Sequence, residues 1–219
     1  MENARATGTS GRREFFILCL HWVLVTAPLL LVLVAVSGVA DSDHALYLHF
    51  KAHRNNNPFL KGFFELVTQW SNAMFYVVYA VFLWQGWKRG DRERMRFALI
   101  YIVVQVAVSF FLVRFLKVAL GRPRPSEGGL YHFFSFSGSH GSMPSGHSTE
   151  IIGASLPLAL RWKRLAVSAG LGLFVALVGF SRIYLGKHHV QDVAVGLALG
   201  SFSGWLIHAL ATGWFEKRA

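Results

Sequence analysis

The chain has 219 residues, of which 53% are hydrophobic, 15% aromatic and 15% charged. With a mean hydropathy of +0.41, these values exclude a water-soluble globule, a disordered chain and a collagen-like repeat. Cys19 is the single cysteine, so an intrachain disulfide is excluded as well. In so apolar a chain, the formal net charge of +11 predicts basic residues at membrane edges and around an anionic ligand, with no nucleic-acid partner.

Six stretches that lack Asp, Glu, Lys and Arg are candidate membrane spans. They are residues 15–40, 66–87, 97–113, 151–160, 165–181 and 193–215. A helix needs about 20 mostly apolar residues to cross roughly 30 Å of hydrocarbon, and the fourth stretch reaches that length only if its helix begins near Ser145. The predicted fold is therefore all-α: a six-transmembrane-helix bundle formed by one domain over residues 1–219.

The basic residues predict the orientation of this bundle, because Lys and Arg beside membrane spans are retained in the cytoplasm. The clusters at residues 88–96 and 161–164, together with the basic residues near both ends of the chain, then lie inside. Both termini are predicted to be cytoplasmic, in the cell (inner) membrane. A second basic group, between Arg114 and Lys187, falls on the outer face, where the orientation rule does not explain it.

Two connections on the outer side differ from the short charged turns inside. Residues 121–144 form a long segment rich in Gly, Ser, Pro and His, and long loops in compact proteins tend to be functional. Residues 41–58 form the other connection, and the stretch from Phe59 to Val67 is predicted to lie in the membrane interface as an amphipathic helix.

The first of three motifs on the outer side, KVALGRPRP, runs from Lys117 to Pro125. Its prolines restrict the backbone, so that the basic side chains leave the membrane in a fixed direction. The ammonium of Lys117 and the guanidinium groups of Arg122 and Arg124 suit phosphate oxygens. The alternative is that these side chains extend to lipid headgroups.

The second motif is PSGH, from Pro144 to His147. Pro144 is suited to the start of a helix, where Ser145, Gly146 and His147 would present unpaired backbone N–H groups to an anion. Gly146 lets that anion come close, and His147 is placed to donate a proton. The alternative is a capped turn with a solvated histidine.

The third motif runs from Ser181 to Asp192 and contains Arg182, His188 and His189. A carboxylate four residues after a histidine lies on the same helix face and accepts the imidazole Nδ1 proton, which leaves Nε2 with a free lone pair. That arrangement is typical of an oriented nucleophile or base. Asp192 is within helical reach of both histidines, so the spacing leaves the choice between them open.

A metal site is the competing interpretation, since His and Asp are metal ligands. Lys and Arg surround the third motif and repel a cation, and further carboxylates are limited to Glu127 and Glu150. The sequence therefore predicts neither a metal nor another cofactor.

Together the three motifs resemble the signature of the type 2 phosphatidic acid phosphatase (PAP2) family, membrane lipid phosphatases whose catalytic core is shared with soluble vanadium haloperoxidases. The matching positions are Lys117, Arg124 and Pro125; Pro144, Ser145, Gly146 and His147; and Ser181, Arg182, His188 and Asp192. Three motifs in order at the right spacing are specific. The resemblance covers residues 117–192 and selects Arg124 over Arg122 and His188 over His189.

The resemblance also implies roles. His188 would be the nucleophile that becomes a phosphohistidine, Asp192 its orienting partner, and His147 the acid that protonates the leaving lipid oxygen. The implied phosphate-binding residues are Lys117, Arg124, Ser145, Gly146 and Arg182. The implied substrate is a lipid phosphomonoester or pyrophosphate, of the phosphatidic acid, phosphatidylglycerol phosphate, polyprenyl pyrophosphate or lipid A type, with the reacting group at the outer face.

Three rival functions remain open at this point. A lipid phosphotransferase would use the same site, with a second lipid intercepting the phosphoenzyme in place of water. An anion channel or transporter predicts basic residues along a path through the membrane, whereas here they collect at helix ends on one side. A lipid-binding protein without activity would not need His147, His188 and Asp192.

Overall fold

The computed structural model describes residues 2–213, with side chains from Gly11 onward, and in this range the chain forms eight α-helices and no strand. The helices are α1 (Glu2–Ser37), α2 (Asp43–Asn56), α3 (Pro58–Arg89), α4 (Arg92–Gln105), α5 (Val113–Leu120), α6 (Gly146–Trp162), α7 (Leu165–Tyr184) and α8 (Val190–Thr212). The all-α prediction is confirmed. The predictions for the basic side chains of Arg5, Lys217 and Arg218 lie outside the described residues.

Five helical segments within the described range are long and apolar enough to cross a membrane. They are Gly11–Ser37, Pro58–Arg89, Arg92–Leu120, Leu165–Tyr184 and Val190–Thr212. The remaining predicted span corresponds to α6, whose 17 residues extend about 25 Å at roughly 1.5 Å per residue. The bundle therefore has five full-length spans and one shorter helix.

Helix α6 lies at the centre of the bundle. Every residue from Ile151 to Leu160 is buried, whereas the five longer segments bury half or less of their most apolar windows. Helix α8 packs against α6 through a stripe of small residues that consists of Gly196, Gly200 and Gly204. A Cβ atom at Gly200 would lie 2.7 Å from Ile152 Cβ, so the absence of side chains is what lets the two backbones approach.

The amphipathic helix that follows the first span is not where the sequence predicted it. Residues 59–67 belong to the long helix α3, which Pro58 begins, and the separate helix is α2. Helix α2 buries Leu46, Phe50 and Arg54, and the ring of Phe50 packs edge-on against Tyr184 of α7. These residues are four apart and share one face, so α2 lies against the end of α7.

One feature of the third span was not predicted. Residues Val106–Leu112 form a π-helical segment that joins α4 to α5. Such segments are rare and frequently occur at functional sites. Here the segment directly precedes the helix that carries Lys117, and it exposes Phe110 and Phe111 on its surface.

Candidate functional site

All three motifs meet at one end of the bundle. Lys117 lies in the last turn of α5, Ser145 caps the start of α6, Arg182 lies in the last turn of α7, and Asp192 lies in the first turn of α8. Successive spans run in opposite directions, so the ends of two helices and the starts of two others fall on the same side. The structure thus brings the predicted site residues together.

Gly121 turns the chain back over this end of the bundle. It has a left-handed φ of 53° as the C-cap of α5, and a Cβ atom there would lie 1.7 Å from the carbonyl oxygen of His132. Both the backbone conformation and the lack of space require glycine. The returning loop is then held by two backbone bonds, from Ser142 N to Arg122 O at 3.0 Å and from Arg124 N to Ser139 O at 2.9 Å.

Two cations of the first motif are held by neutral partners. Lys117 Nζ donates to Gly141 O at 2.7 Å, and Arg124 donates from Nε to Gly138 O at 2.8 Å and from Nη1 to Lys187 O at 3.1 Å. Carbonyl oxygens fix the direction of a cation without neutralising its charge. Both side chains therefore keep a positive charge available for an anion.

Arg182 is the most unusual cation of the site. Its side chain is 8% exposed, and its Nε is buried without a hydrogen-bond partner among the described residues. Its backbone oxygen accepts from Lys187 N at 3.0 Å and His188 N at 3.2 Å, which fixes the turn between α7 and α8. A buried, unpaired guanidinium nitrogen costs free energy, and an anion bound beside it would remove that cost.

The start of α6 adds backbone donors to these cations. Ser145 is fully buried, and its N–H donates to the carbonyl oxygen of Asp192 at 2.9 Å, which ties the start of α6 to the start of α8. The next N–H groups, beginning with Gly146 and His147, have no partner within the helix, and they stand at the positive end of its dipole. This end of α6 is suited to an anion.

His147 is half-buried at the same place. The positive charges of Arg182, Lys117 and Arg124 all act on its imidazole, and so does His188. The three predicted phosphate-binding cations and the two predicted catalytic histidines therefore share one electrostatic environment.

His188 is buried, and its Nδ1 lies 2.7 Å from the carbonyl oxygen of Ser142. A carbonyl oxygen only accepts, so Nδ1 carries the hydrogen and a neutral imidazole keeps its lone pair on Nε2. The sequence predicted this tautomer with Asp192 as the direct acceptor; in the structure Ser142 O is the nearer acceptor, and Asp192 still acts on the imidazole. Asp192 Oδ2 lies 3.6 Å from Nδ1, because that carboxylate is occupied by other donors.

Asp192 is fully buried and receives three hydrogen bonds. Arg122 Nη1 donates to Oδ1 at 2.8 Å, while the hydroxyl of Ser142 and the N–H of His189, at 2.8 Å, donate to Oδ2. Asp192 therefore acts on His188 through its charge and through Ser142, whose carbonyl oxygen holds the ring.

His189 faces away from His188. Its Nε2 lies 3.1 Å from Pro123 O, and its Nδ1 lies 3.2 Å from Asp43 Oδ2 on helix α2. The hydrogen bond of His189 to Pro123 O lies beside α2, and its Nδ1 comes close to Asp43 without forming a hydrogen bond. This placement separates the roles of the two histidines, which the sequence spacing left open.

Sequence reasoning missed two residues of this arrangement and left a third unassigned. Ser142 precedes the second motif by two positions, and Asp43 lies far upstream on α2, so no spacing pattern pointed to either. Arg122 was a candidate phosphate ligand, yet its guanidinium contacts Asp192 and Asp43.

The burial of His188 is expected to make the stability of the protein depend on pH. Burial lowers the pKa of His188 to about 4 from an ordinary value of 6.5; the charges of Lys117 and Arg182 also lower it, and Asp192 acts in the opposite direction. Between pH 6.5 and about 4, the unfolded chain therefore binds more protons at His188 than the folded chain does. As the pH falls through this window, the contribution of His188 to the free energy of unfolding decreases.

A His188→Gln variant, which lacks this titration, is expected to gain thermal stability relative to the wild type as the pH is lowered from 6.5, with no such drift above pH 7. Melting temperatures of both purified proteins across this range would measure the effect. A constant difference at all pH values would contradict the lowered pKa.

A groove beside the cations is lined by phenylalanines and encloses about 910 Å³. Lys117 and Arg124 lie at one side, and the aromatic lining consists of Phe110, Phe111, Phe115, Phe134 and Phe136. The groove thus joins positive charge to an apolar surface, a combination that suits a lipid with an anionic headgroup.

The donor set at this end does not resemble a metal site. Among the side chains from residue 11 to 213, no group of three or more His, Cys, Asp and Glu residues lies close enough to hold an ion. The groups that meet here are mainly hydrogen-bond donors and positively charged side chains, which suit an anion.

Comparison with known proteins places these features in a family. The PAP2 superfamily model matches residues 97–216, which include all three motifs. The lipid A 1-phosphatase of Rhizobium etli is 36% identical over 113 residues, which cover 48% of this chain and 45% of the relative. Phosphatidylglycerophosphatase B of Bacillus subtilis is 34% identical over 116 residues, 48% of this chain and 52% of the relative. The chain thus spans about half the length of these curated relatives.

A solved structure has a similar fold. The crystal structure of a transmembrane PAP2-type phosphatidylglycerolphosphate phosphatase from Bacillus subtilis superposes with a TM-score of 0.53 and is 25% identical. The match covers 86% of this chain and 92% of that one. With the five apolar segments described above, this similarity indicates a multi-pass membrane protein.

Proposed function

Because the chain belongs to the PAP2 superfamily, we propose that it is a membrane lipid phosphatase that hydrolyses a phosphomonoester or pyrophosphate of a lipid. The observation that carries this proposal is Arg182, a buried guanidinium with an unpaired Nε, in one cluster with a histidine whose hydrogen is fixed on Nδ1. A phosphoryl group would accept from the Nε of Arg182 and would give that histidine a phosphorus atom to attack.

The proposed reaction begins with binding of the phosphoryl group. Lys117, Arg124 and Arg182 neutralise its oxygens, and the backbone N–H groups at the start of α6, beginning with Gly146 and His147, donate to it. Ser145 caps this helix start, and its own N–H is taken by Asp192 O. Phosphoryl transfer depends mainly on positioning and electrostatic stabilisation, so three cations and helix-start amides suffice to bind the group and stabilise its charge.

In the first chemical step, the Nε2 lone pair of His188 forms a bond to phosphorus as the bond from phosphorus to the lipid oxygen breaks. The leaving oxygen takes its proton from the imidazolium form of His147, which the negative charge of the bound phosphoryl group stabilises against burial and the surrounding cations, and the product is a phosphohistidine. In the second step a water molecule gives a proton to His147 and attacks phosphorus, which restores His188 and releases phosphate.

The lipid nature of the proposed substrate rests on the groove. Its phenylalanines continue from Lys117 and Arg124 onto the exposed surface of the third span, so an apolar chain bound there would leave its phosphate among the cations. Relatives named for lipid A and for phosphatidylglycerophosphate support substrates of those types, beside phosphatidic acid and polyprenyl pyrophosphate.

The proposed location is the cell (inner) membrane, with both termini in the cytoplasm and the site at the outer face. The basic residues support this orientation, since the clusters at residues 88–96 and 161–164 lie at the end of the bundle opposite to the site. One domain, with its catalytic residues between Lys117 and Asp192, is the proposed organisation.

An assay of the purified chain against a panel of phosphate-labelled lipids tests the function. We expect release of free phosphate from at least one of the four lipid types and undiminished release in EDTA, because the proposed phosphate ligands are cations and N–H groups. Transfer of the label to a second lipid would identify a phosphotransferase instead. Loss of activity in EDTA that Mg²⁺ restores would contradict the metal-free mechanism.

A further inference from the structure

The guanidinium of Arg122 holds two helices together beside the site. Its side chain is buried, with 7% exposed, and Nη1 donates to Asp192 Oδ1 of α8 at 2.8 Å. Its Nη2 donates to Gln191 Oε1 at 2.8 Å and to Asp43 Oδ2 of α2 at 3.1 Å. The three acceptors are thus engaged by the two terminal nitrogens of one planar group.

This environment distinguishes Arg122 from the other basic residues of the site. Arg122 lies between two carboxylates, whereas Lys117 and Arg124 contact carbonyl oxygens and Arg182 leaves a nitrogen unpaired. A phosphate at Arg122 would approach Asp192 and Asp43 and would be repelled by both. Arg122 is therefore unsuited to bind substrate, although it belongs to the same motif as Arg124.

The contacts of Arg122 lead directly to His188. Because Arg122 occupies Oδ1 of Asp192, Oδ2 of that carboxylate is left to accept the hydroxyl of Ser142. The carbonyl oxygen of Arg122 also accepts the backbone N–H of Ser142 at 3.0 Å. Ser142 is thus fixed at two atoms, and its own carbonyl oxygen holds Nδ1 of His188 at 2.7 Å.

We infer that Arg122 is a positioning residue for the reaction of His188, acting through Asp192 and Ser142, and that Asp43 of α2 anchors Arg122 from outside the bundle. The inference rests on the proposed function. It also explains why α2 is placed beside the site, since this helix packs on α7 through Phe50 and presents Asp43 from its first turn. In metalloproteins, removing the outer hydrogen-bond partner of a metal-bound imidazole lowers metal affinity or activity by about 10–100-fold. We expect an effect of similar size on the rate here.

Four variants test this inference: Arg122→Gln, Arg122→Lys, Asp43→Asn and, as a matched control, Asp41→Asn, which changes an exposed carboxylate two residues away. We expect Arg122→Gln to lower kcat by about 100-fold, with KM changed by less than about threefold. Arg122→Lys keeps the charge but loses the planar fork, so its kcat should be intermediate. Asp43→Asn should lower kcat by about three- to tenfold, and Asp41→Asn should match the wild type.

The pH profile separates positioning from packing. The charged and titratable groups that act on His188 are Lys117 of α5, His147 of α6, Arg182 of α7 and Asp192 of α8. Without Arg122, no guanidinium offsets the negative charge of Asp192. The carboxylate then stabilises protonated His188 more strongly, which raises the pKa of His188. The acid limb of kcat/KM should therefore move to higher pH in Arg122→Gln, and less so in Arg122→Lys.

Three results would overturn the inference: a wild-type kcat in Arg122→Gln, a loss confined to KM as expected for a phosphate ligand, or an unmoved acid limb. If Arg122→Gln does not fold, Arg122→Lys and Asp43→Asn carry the same comparisons. His188→Ala tells the two proposals apart. Full activity in that variant contradicts the proposed function, whereas an inactive His188→Ala beside fully active Arg122 and Asp43 variants contradicts this inference alone.

Discussion

Replacement of His188 by alanine is expected to lower the rate of phosphate release by at least about 10⁴-fold, because it removes the atom that forms the bond to phosphorus. The cations and the start of α6 remain, so the variant should still bind its lipid. Measurement of kcat and of lipid binding on the same purified protein would separate these effects. His49→Ala, which removes an exposed histidine of α2, is the matched control and should retain wild-type activity.

A covalent phosphate label tests the step itself. During turnover of a phosphate-labelled lipid, the wild type should acquire protein-bound label and His188→Ala should not. Asp192→Asn should retain more activity than His188→Ala, since Ser142 still holds the imidazole through its backbone oxygen. Label in His188→Ala, or equal and complete losses in both variants, would contradict the assigned roles.

The position of the site was predictable from sequence because it follows from topology. Each motif borders an apolar stretch, and alternating spans bring Lys117, His147 and His188 to one side of the membrane. The sequence also predicted a histidine with a free Nε2, but from a helical spacing. His188 lies two residues before α8 begins at Val190, and the nearer acceptor for its Nδ1 is Ser142 O.

What the sequence could not predict depends on contacts between distant segments. Arg122 and Arg124 are two residues apart and chemically identical, and only the turn at Gly121 sends one toward Asp192 and the other toward Gly138. The acceptor for His188 is a backbone oxygen, which has no signature in side-chain spacing. Helix α2 was not predicted for a related reason: Phe50 of its buried face packs against Phe180 and Tyr184 of α7, which are distant in sequence.

Replacement of Arg182 by methionine is expected to lower activity strongly and, at the same time, to stabilise the protein. The buried guanidinium with an unpaired Nε costs free energy in the absence of an anion, and its charge adds to that of Lys117 and Arg124. Methionine fills similar space without that cost. We expect kcat/KM to fall by about 10²–10³-fold and the melting temperature to rise by about 2–4 °C for each kcal/mol gained.

Arg161→Met is the informative control, because Arg161 lies at the opposite end of the bundle and pairs with Glu93 at 3.0 Å. Its replacement breaks an ion pair and should not raise the melting temperature. A phosphate analogue gives the second comparison: orthovanadate should raise the melting temperature of the wild type, by binding the folded state, and should have a much smaller effect on Arg182→Met. A variant that is less stable than the wild type and equally stabilised by orthovanadate would show that Arg182 serves the fold. A variant that is more stable than the wild type and is stabilised much less by orthovanadate would mean that the wild type maintains an unneutralised charge at a cost to its stability. The phosphate of the substrate would then remove this cost in each cycle.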